Sequence, residues 1–509
     1  MLAKTFSGTL IGLEPLKIEV EVDGTKGVPN LIIIGLPSKS VEEARERITS
    51  ALLNCGIKIR AKRTVVNLAP ADIKKEGSGL DLAITVALLQ MYGELGDKLG
   101  DFNQTMLFGE LALDGSLKPI KGALSLALAT KKMGFHRLII PSANQAEVSV
   151  VSGLEILAAS HLNELITATH GQTKLSKVIY QSFQQNNLLS PSKVDFADIK
   201  GQNTAKRCLE IAAAGGHNLL LLGPPGSGKS MMAEALSSIL PPLTEQEMIE
   251  VTNIHSICDL NQHNLVRQRP FRSPHHTISN VAMIGGGTKL RPGEISLAHR
   301  GVLFLDEFPE FPRSTLEALR QPLESGTINV ARVHGHVNFP ARLTLIAAAN
   351  PCPCGYWGTN SHQSCTCSPT IRENYQQKLS GPILDRIDQV LHVGAVDLNK
   401  LKKYHSSDQS SDLETSATIQ KRVIKARQLQ THRLKKTPYL TNSEIPSSII
   451  YELCQLTKPA EQLLQRFAQQ KQISARSYFK IIKVAQTITD LSAAAQIEPP
   501  QIAEALQYR

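Results

Sequence analysis

Residues 217–236, HNLLLLGPPGSGKSMMAEAL, decide the fold of this 509-residue chain. The apolar run from Asn218 to Leu222 predicts a buried strand, and the residues after GPPGSGKS have the spacing of an amphipathic helix. Between such a strand and helix, glycines let backbone N–H groups face phosphate oxygens, while Lys229 reaches the outer phosphates and the Ser230 hydroxyl ligates magnesium. We therefore predict a cradle for the phosphates of ATP, with Mg²⁺, at Gly223, Pro224, Pro225, Gly226, Ser227, Gly228, Lys229 and Ser230.

A second apolar run, Val302 to Leu305 in GVLFLDEF, carries two acidic residues at its end. Ligands of open α/β sheets bind outside the carboxyl ends of the strands, so these carboxylates are expected beside the phosphate cradle. We predict that Asp306 holds magnesium through water and that Glu307 polarises the attacking water as general base. A lone Asp-Glu pair is more often a solvated acidic turn, but this pair follows a phosphate cradle.

A third apolar run, Leu343 to Ala349, ends at Asn350. The amide of Asn350 is a candidate for orienting the attacking water from the neighbouring strand end. Taken alone, an asparagine after a strand is more often a turn residue.

The chain is too long for one hydrophobic core, because single cores stop growing near ~250 to 300 residues. We predict an α/β multidomain protein: an α+β unit at 1–172, a linker at 173–194, a P-loop α/β core at 195–395 and a helical region at 396–509. Strands of the first unit are predicted at Ile18–Val22, Leu31–Gly35, Thr64–Leu68, Met106–Gly109 and Arg137–Ile140. Helices are predicted at Ser40–Cys55, Leu80–Met91, Ile419–Leu434, Asn442–Leu456 and Ser474–Leu491. The polar stretch 402–416 is predicted to be a mobile loop.

Hydrophobic residues make up 42% of the chain and charged residues 20%, as in a folded globular protein. No apolar run approaches the ~20 residues that cross a bilayer, and the N-terminus has no secretory pattern, so we expect a cytoplasmic protein without a membrane partner. The formal net charge of +10 suits a polyanionic partner such as nucleic acid, although on a chain of this size it also serves solubility.

Cations are concentrated between the helix of the predicted cradle and Asp306. Such a segment can line a pore and follow a phosphate backbone. Its members are Arg267, Arg269, Arg272, His275, His276, Lys289, Arg291 and Arg300. A second basic run is interpreted as a solvated helix face. It consists of Lys421, Arg422, Lys425, Arg427, Arg433, Lys435 and Lys436.

Half of the eight cysteines lie in one loop, NPCPCGYWGTNSHQSCTCSP, at residues 350–369. Their two Cys-x-Cys pairs are Cys352 and Cys354, then Cys365 and Cys367. Four thiolates can close a tetrahedral zinc shell, and the loop is predicted to be a structural zinc site. The usual spacing is Cys-x-x-Cys, so unligated thiols are the alternative, with His362 as a reserve ligand. Trp357 in the same loop is available to stack on a base.

Six longer motifs accompany these residues: NLLLLGPPGSGKS, FRSPHHTISNVAMIGGG, PGEISLAHRGVLFLDEFPEF, LEALRQPLESG, LIAAANPCPCGYWG and LSGPILDRID. Together they resemble the magnesium-chelatase-related branch of the AAA+ ATPases, and within it the ComM/YifB family over nearly the whole chain. The resemblance implies a homo-oligomeric ring, usually a hexamer, with ATP between subunits. It makes Arg386, in GPILDRID, the arginine finger for a neighbour's γ-phosphate. It makes Arg476, in QISARSYFK, the second sensor of a helical lid.

The alternating segment INVARVHGHVNF, residues 328–339, predicts a hairpin. It resembles the hairpin that precedes the first sensor strand in this clade, which projects into the channel of ring helicases. That resemblance makes Arg332, His334 and His336 candidate DNA contacts, and a solvated hairpin is the alternative.

The first unit is similar to the proteolytic domain of the Lon family over VVNLAPADIKKEGSGLDLAITVALL and GELALDGSLKPIKGALSLALATKKMG. Fold similarity does not carry the chemistry with it. Gly79 stands where the nucleophilic serine is expected and Leu124 where the activating lysine is expected, with Ser78 and Lys121 out of register. We therefore expect a non-proteolytic domain that scaffolds the ring or contacts DNA.

Taken together, the residues and the resemblance predict an ATP-dependent DNA translocase or helicase. The resemblance implies branch migration during DNA recombination in natural transformation, on single-stranded, duplex or branched DNA. Two other classes are kept: a chelatase-type subunit that remodels a protein partner, and an ATP-dependent protease. An ATPase that ignores DNA would favour the chelatase-type subunit, whereas a protease is excluded if casein-type substrates survive and a serine-directed probe does not label the protein.

Overall fold

The computed structural model describes residues 2–59, 62–73, 75, 77, 79–181, 194–260, 262–287, 290–332, 335–358, 363–379, 381–394 and 414–509. Within these ranges no helix is both long and apolar enough to cross a membrane. Most of the predicted mobile loop at 402–416 and more than half of the predicted linker at 173–194 lie outside the described residues.

The first unit is a mixed sheet with flanking helices. In chain order its elements are β1 Ala3–Ile11, β2 Glu14–Thr25, β3 Asn30–Ile34, α1 Lys39–Glu42, α2 Ala44–Asn54, β4 Arg63–Ala69, α3 Asp81–Tyr92, β5 Thr105–Leu107, β6 Glu110–Leu111, β7 Leu117–Lys118, α4 Ala123–Lys132, β8 Arg137–Pro141, α5 Gln145–Val148, β9 Glu155–Ala159, α6 Leu162–Thr169 and β10 Ser176–Lys177. The sheet order is β10-β9-β8-β5-β1-β2-β4-β3. Strand β10 extends this sheet to residue 177, past the predicted boundary at 172.

The strands predicted for the first unit are confirmed, but β1 is an additional long strand that the sequence does not predict. Its buried face carries hydroxyl side chains instead of an apolar alternation. Thr5 donates to the carbonyl oxygen of Ala83 at 2.9 Å, and Ser7 donates to that of Leu107 at 2.7 Å. Because these hydroxyls are satisfied by backbone oxygens, polar residues are tolerated in the core and the expected hydrophobic pattern is missing.

The second unit is a parallel sheet with crossover helices. In chain order its elements are α7 Asn203–Gly215, β11 Leu219–Leu222, α8 Lys229–Ile239, α9 Glu245–Ile257, β12 Phe271–Arg272, α10 Asn280–Ile284, β13 Gly285–Gly286, β14 Arg291–Pro292, α11 Glu294–Leu297, β15 Val302–Leu305, α12 Arg313–Ala318, α13 Arg320–Ser325, β16 Thr327–Arg332, β17 Gly335–Pro340, β18 Thr344–Ala349, α14 Pro369–Lys378, α15 Gly381–Leu384 and β19 Gln389–His392. The predicted strands at 218–222, 302–305 and 343–349 are confirmed, and so is the hairpin at 328–339, formed by β16 and β17.

The order of the parallel sheet is β12-β15-β18-β11-β19. Strands β15 and β18 are buried along their whole length, as expected for a parallel sheet covered on both faces. Leu222 at the end of β11 pairs with Ala349 on one side and with His392 on the other. The carboxyl ends of β11, β18 and β19 therefore meet at one edge. In open α/β sheets, ligands bind at this edge.

The third unit is helical. Its helices are α16 Ser416–Leu434, α17 Ile450–Leu453, α18 Lys458–Lys471, α19 Ala475–Leu491 and α20 Pro499–Leu506. The predicted helices at 419–434 and 474–491 are confirmed, and Ile481, Ala485 and Ile488 are buried on one face of α19.

The helix predicted at Asn442–Leu456 is wrong. Pro446 divides this segment, and only the short α17 follows it as an α-helix. The sequence also fails to predict α18, which begins after Thr457 with Pro459 in its first turn. Its fully buried positions are only Ala460 and Leu464, which is too few to give a clear helical period.

Candidate functional site

The segment Gly223–Ser230 forms a tight loop between β11 and α8. Gly226 and Gly228 have φ of +73° and +85°, a left-handed conformation that favours glycine. A Cβ atom on Gly223 would lie 2.5 Å from the carbonyl oxygen of Val393 on the neighbouring chain segment. The glycines are therefore required by the backbone itself, and the loop lies at the amino end of α8, where the helix dipole favours an anion.

Lys229 occupies the inside of this loop. Its Nζ donates to the carbonyl oxygens of Gly223 and Pro224, both at 2.8 Å, and to Oδ1 of Asn350 at 3.1 Å. Burial lowers the pKa of Lys229, and the charge of Asp306 opposes that shift. The contact with Asn350 arises because β18 and β11 are neighbours, and it brings the residue predicted to orient the attacking water to the phosphate cradle.

Ser230 and Asp306 lie together at the ends of two different elements. The Ser230 hydroxyl donates to Oδ2 of Asp306 at 2.7 Å. A hydroxyl and a carboxylate beside a phosphate cradle are the oxygen ligands that Mg²⁺ takes in phosphate-binding sites. The donor set therefore fits magnesium, held by Ser230 directly and by Asp306.

Glu307 has an unusual backbone, with φ +50° and ψ +44°. A left-handed conformation costs a non-glycine residue about 1 to 2 kcal/mol, so the surrounding structure must hold it. Its N–H donates to Oδ1 of Asp306 at 2.9 Å, and its Oε2 lies 3.1 Å from Nδ1 of His276. The side chain is 59% exposed, so the carboxylate is open to water but tied to a histidine of the basic insertion.

Two further residues complete this group, and sequence patterns did not indicate either. Gln202, just before α7, donates to the carbonyl oxygens of Ser227 at 3.3 Å and Gly394 at 3.5 Å, which ties the cradle to the end of β19. Tyr375 on α14 is buried, which raises its pKa to about 12, and it hydrogen bonds the backbone of Asn350. A lone glutamine and a lone tyrosine carry no motif, so only the tertiary structure identifies them.

The predicted finger Arg386 and second sensor Arg476 lie together, but at the opposite edge of the sheet. Both guanidinium groups bind the carboxylate of Glu324, Arg386 at 2.9 Å. Arg386 also donates to the carbonyl oxygen of Arg320 at 3.2 Å. Because β19 begins at Gln389 and runs parallel to β11, Arg386 is at the amino ends of the strands, whereas the cradle is at their carboxyl ends.

The loop carrying Arg386 is anchored by a buried ionic network. Burial alone would raise the pKa of Asp388, but the charges of Lys480 and His217 outweigh it and lower that pKa. Lys480 of α19 lies 3.5 Å from Asp388 and donates to the carbonyl oxygen of Ile387 at 2.9 Å. Asn218 donates from its side chain to the carbonyl oxygen of Arg386 at 3.0 Å. Helix α19, whose second residue is Arg476, therefore also holds the loop of Arg386.

The four cysteines of the 350–369 loop converge. Their sulfur atoms all lie within 4.8 Å of one another. The Sγ atom of Cys352 is 3.3 Å from that of Cys354 and 3.7 Å from that of Cys365. Tetrahedral zinc with Zn–S bonds of about 2.3 Å requires sulfur atoms about 3.8 Å apart, so this set fits zinc. The reserve ligand His362 lies outside the described residues.

The predicted DNA contacts divide into two groups. Arg269 binds Glu247 at 2.8 Å, and Arg272 binds both oxygens of Glu294 at 2.7 Å, so these two guanidinium groups hold the insertion together. Arg267 and Arg291 are exposed. Lys289 and His334 lie outside the described residues, and the side chains of Arg332 and His336 are not described, although their backbone belongs to the β16–β17 hairpin.

Another carboxylate, Glu250, binds two residues of the insertion, and one of them, Arg300, also reaches the helical unit. It accepts from His299 at 3.1 Å and from Arg300 at 2.9 Å, and Arg300 also reaches Glu444 at 3.4 Å. Burial alone would raise the pKa of Glu250, but the hydrogen bond from His299 and the charge of Arg300 lower it to about 2.

The interpretation of the basic run in α16 as a solvated face is wrong for three of its members. Arg422 binds Glu210 and Glu414, and Arg433 binds both oxygens of Asp490 at 2.7 Å. Arg427 is packed against the core, where burial lowers its pKa to about 10. The helix itself contains no acidic residue, so the partners of these cations come from other segments of the chain.

In the first unit, the residues at the positions expected for a catalytic serine and lysine do not form a catalytic pair. Leu124 is fully buried and donates its N–H to Glu147 at 3.1 Å. Lys121 binds Asp259 of the second unit at 3.1 Å. Gly79 has no nucleophilic atom, and Ser78 lies outside the described residues.

These residues define a class of protein, the P-loop nucleotide-binding proteins with a parallel α/β core. Comparison with known families matches residues 195–401 to "Magnesium chelatase, subunit ChlI", 20–144 to "Subunit ChlI of Mg-chelatase" and 413–509 to "Magnesium chelatase, subunit ChlI C-terminal". The chain belongs to the magnesium-chelatase-related AAA+ family, in its ComM/YifB group.

Two relatives extend over the full chain, and a third matches less than half of it. A protein of Salmonella typhimurium called "Uncharacterized protein YifB" is 41% identical over 510 residues, covering 100% of this chain and 97% of that protein. "Competence protein ComM" of Haemophilus influenzae is 41% identical over 514 residues, with the same coverage. "DNA replication licensing factor Mcm2" of Drosophila melanogaster is 24% identical over 251 residues, covering 44% of this chain and 25% of that protein.

Proposed function

We propose that this protein is an ATP-dependent DNA translocase that works as a ring and promotes branch migration during DNA recombination, in natural transformation. The observation that carries the proposal is the division of the ATP site over two edges of one sheet. Lys229, Ser230, Asp306 and Asn350 meet at the carboxyl edge, whereas Arg386 lies at the amino edge. A closed ring, which we take to be a hexamer, brings the two edges of neighbouring subunits together.

In this proposal the chain supplies each part of ATP hydrolysis. The backbone of Gly223–Ser230 and Lys229 hold the phosphates, while Ser230 and Asp306 hold Mg²⁺, which neutralises charge on the phosphates. Glu307 takes the proton of the attacking water, and Asn350 orients that water. Arg386 of one subunit stabilises the charge that develops on the γ-phosphate bound by the next subunit. Arg476 shares Glu324 with Arg386 and would act at the same interface.

The DNA path is proposed along the insertion and the hairpin. Arg267, Arg291 and Lys289 would supply cations for the phosphate backbone, together with Arg332, His334 and His336 of the hairpin segment. Arg269 and Arg272 would act indirectly, since their carboxylate partners hold the insertion in place. The names of two relatives, a competence protein and a replication licensing factor, agree with a DNA substrate.

The cysteine cluster is proposed to hold one structural zinc ion through Cys352, Cys354, Cys365 and Cys367. Trp357 is 40% exposed beside it and stacks with Arg372, with 5.4 Å from the guanidinium carbon to the ring centre. An exposed ring with an adjacent cation suits a nucleotide base, so this pair is a proposed DNA contact. The first unit is proposed to be a Lon-like scaffold without peptidase activity.

The decisive experiment measures ATP hydrolysis and the movement of a synthetic four-way DNA junction. Wild-type protein is expected to hydrolyse ATP faster with DNA and to move the junction. Lys229→Ala is expected to lose nucleotide binding, and Glu307→Gln to retain nucleotide binding without turnover. Lys132→Ala, which changes an exposed lysine on the first unit, is the matched control and should behave as wild type.

Each component of the proposal can fail separately. An ATPase that DNA stimulates but that moves no three-way or four-way junction contradicts branch migration. An ATPase that ignores DNA altogether favours the second candidate, a chelatase-type subunit that remodels a protein partner, which the family matches to ChlI suggest. Degradation of a casein-type substrate would instead support a protease.

A further inference from the structure

The cysteine cluster begins where the nucleotide site ends. Strand β18 finishes at Ala349, the next residue is Asn350, and Cys352 follows two positions later. Asn350 binds Lys229 of the phosphate cradle, and Cys352 is fully buried. Only Pro351 therefore separates the first cysteine from the residue whose side chain contacts the cradle lysine.

A second contact joins the cluster directly to the cradle. The turn closed by the hydrogen bond from Gly355 N–H to the carbonyl oxygen of Cys352, at 2.9 Å, packs on Pro225. A Cβ atom on Gly355 would lie 2.5 Å from Cδ of Pro225 and 3.2 Å from its Cγ. The backbone of the cysteine loop at Gly355 therefore packs on the ring of Pro225, and there is no room for a side chain at this glycine.

The second cysteine pair is also connected to Asn350, through helix α14. Cys367 is followed by Ser368, which caps α14 by accepting from the N–H of Ile371 at 3.4 Å. Along this helix, Tyr375 hydrogen bonds the backbone of Asn350, and Lys378 binds Glu310 at 3.5 Å. An ion that joins both cysteine pairs would therefore tie the segment that follows Asn350 in the chain to the helix whose Tyr375 contacts the backbone of Asn350.

We propose that metal binding at this cluster and nucleotide binding at the cradle are thermodynamically coupled. A zinc ion on the four thiolates holds residues 352–355 against Pro225 and holds Asn350 beside Lys229, so the cradle is ordered before nucleotide arrives. Coupling between two sites is reciprocal, so bound nucleotide must hold the zinc more tightly by the same factor. The inference rests on the proposed zinc assignment but not on the proposed DNA activity.

The test measures zinc release from the full-length protein at equilibrium. A chromogenic zinc chelator competes with the four thiolates, and the fraction of zinc that it takes up gives the zinc affinity, with and without a non-hydrolysable ATP analogue and Mg²⁺. Coupled sites typically change affinity by about 5-fold to 150-fold, so saturating nucleotide is expected to raise the zinc affinity, and so to reduce release to the chelator, at least about fivefold. The reciprocal experiment, on protein stripped of zinc by a chelator, is expected to show nucleotide affinity reduced by a similar factor.

Two glycine variants distinguish the effect of the contact with Pro225 from the effect of backbone strain alone. Gly355→Ala places a methyl group against Pro225, at φ +87°, and is expected to retain zinc while losing the effect of nucleotide on its release. Gly358→Ala has similar backbone strain at φ +69°, but no atom of the residues that the structure describes lies within 4 Å of the added carbon, so it should keep the effect.

The outcomes distinguish the inference from the proposals it accompanies. Protein purified without zinc, with free thiols intact, overturns both the zinc assignment and the coupling. Stoichiometric zinc whose release ignores nucleotide overturns the coupling alone. Loss of the effect in Gly358→Ala as well as in Gly355→Ala overturns the contact with Pro225 as its route. Failure to move DNA junctions would leave all these measurements unchanged.

Discussion

A subunit-mixing experiment tests whether the ATP site is shared. Strand β11 separates the cradle from the edge that carries Arg386, and its length of four residues corresponds to about 13 Å. Because Glu324 and the carbonyl oxygen of Arg320 hold Arg386 at that far edge, a chain is not expected to complete its own site. Lys229→Ala and Arg386→Ala proteins should therefore each be nearly inactive, since an arginine finger is worth about 10³-fold or more in rate.

The expected magnitude follows from counting interfaces. When the two variants exchange subunits at equal concentration in a closed ring, about a quarter of the interfaces combine an intact Lys229 with an intact Arg386 from the neighbour. Steady-state phosphate release is thus expected to reach up to about a quarter of the wild-type rate per subunit. Each variant incubated alone gives the background.

A matched mixture provides the control. Lys229→Ala/Arg386→Ala double-variant protein mixed equally with wild type also leaves about a quarter of the interfaces complete if the site is shared. If each site lay within one chain, this mixture would keep about half of the activity and the first mixture would show none. That second pattern, in rings whose subunit exchange has been verified by native mass spectrometry, would refute the reasoning.

Three further perturbations follow from the contacts of the site. His276→Ala removes the partner of the Glu307 carboxylate, so basal phosphate release should rise and the stimulation by DNA should shrink; an unchanged ratio of the two rates would contradict this. Glu250 has its pKa lowered to about 2, so its charge stabilises the fold above pH ~4.5 and the contribution is lost as pH falls toward about 2. Calorimetry of Glu250→Gln should show a lower Tm at pH 7 and a shallower loss over that acid range, whereas a pH profile parallel to wild type would count against it. Lys480→Met removes the lysine that pairs with buried Asp388, which should cost about 3 kcal/mol or more in chemical denaturation and lower kcat without changing nucleotide affinity. Rescue by Lys480→Arg would support a charge-based role.

Local chemistry explains why the phosphate cradle could be predicted from the sequence, whereas the partners of the basic residues could not. The segment Gly223–Ser230 needs glycines at left-handed positions, and that requirement is written in consecutive residues. The partners of Arg269, Arg422 and Arg433 come from other segments of the chain, so a basic run in the sequence does not reveal whether its cations are solvated. The polar strand β1 was missed for the same reason, because the carbonyl groups that satisfy it are about 80 to 100 residues away.

By itself the sequence determined the nucleotide-binding loop, the strand ends at Asp306 and Asn350, and the clustering of the cysteines, because each depends on residues close together in the chain. Only the tertiary structure decided that Lys229 binds Asn350, that the cysteine loop rests on Pro225, and that Arg386 lies at the opposite edge of the sheet from the cradle. The order and direction of the strands set these distances. They arise from pairing between segments far apart in the chain, which local spacing does not encode.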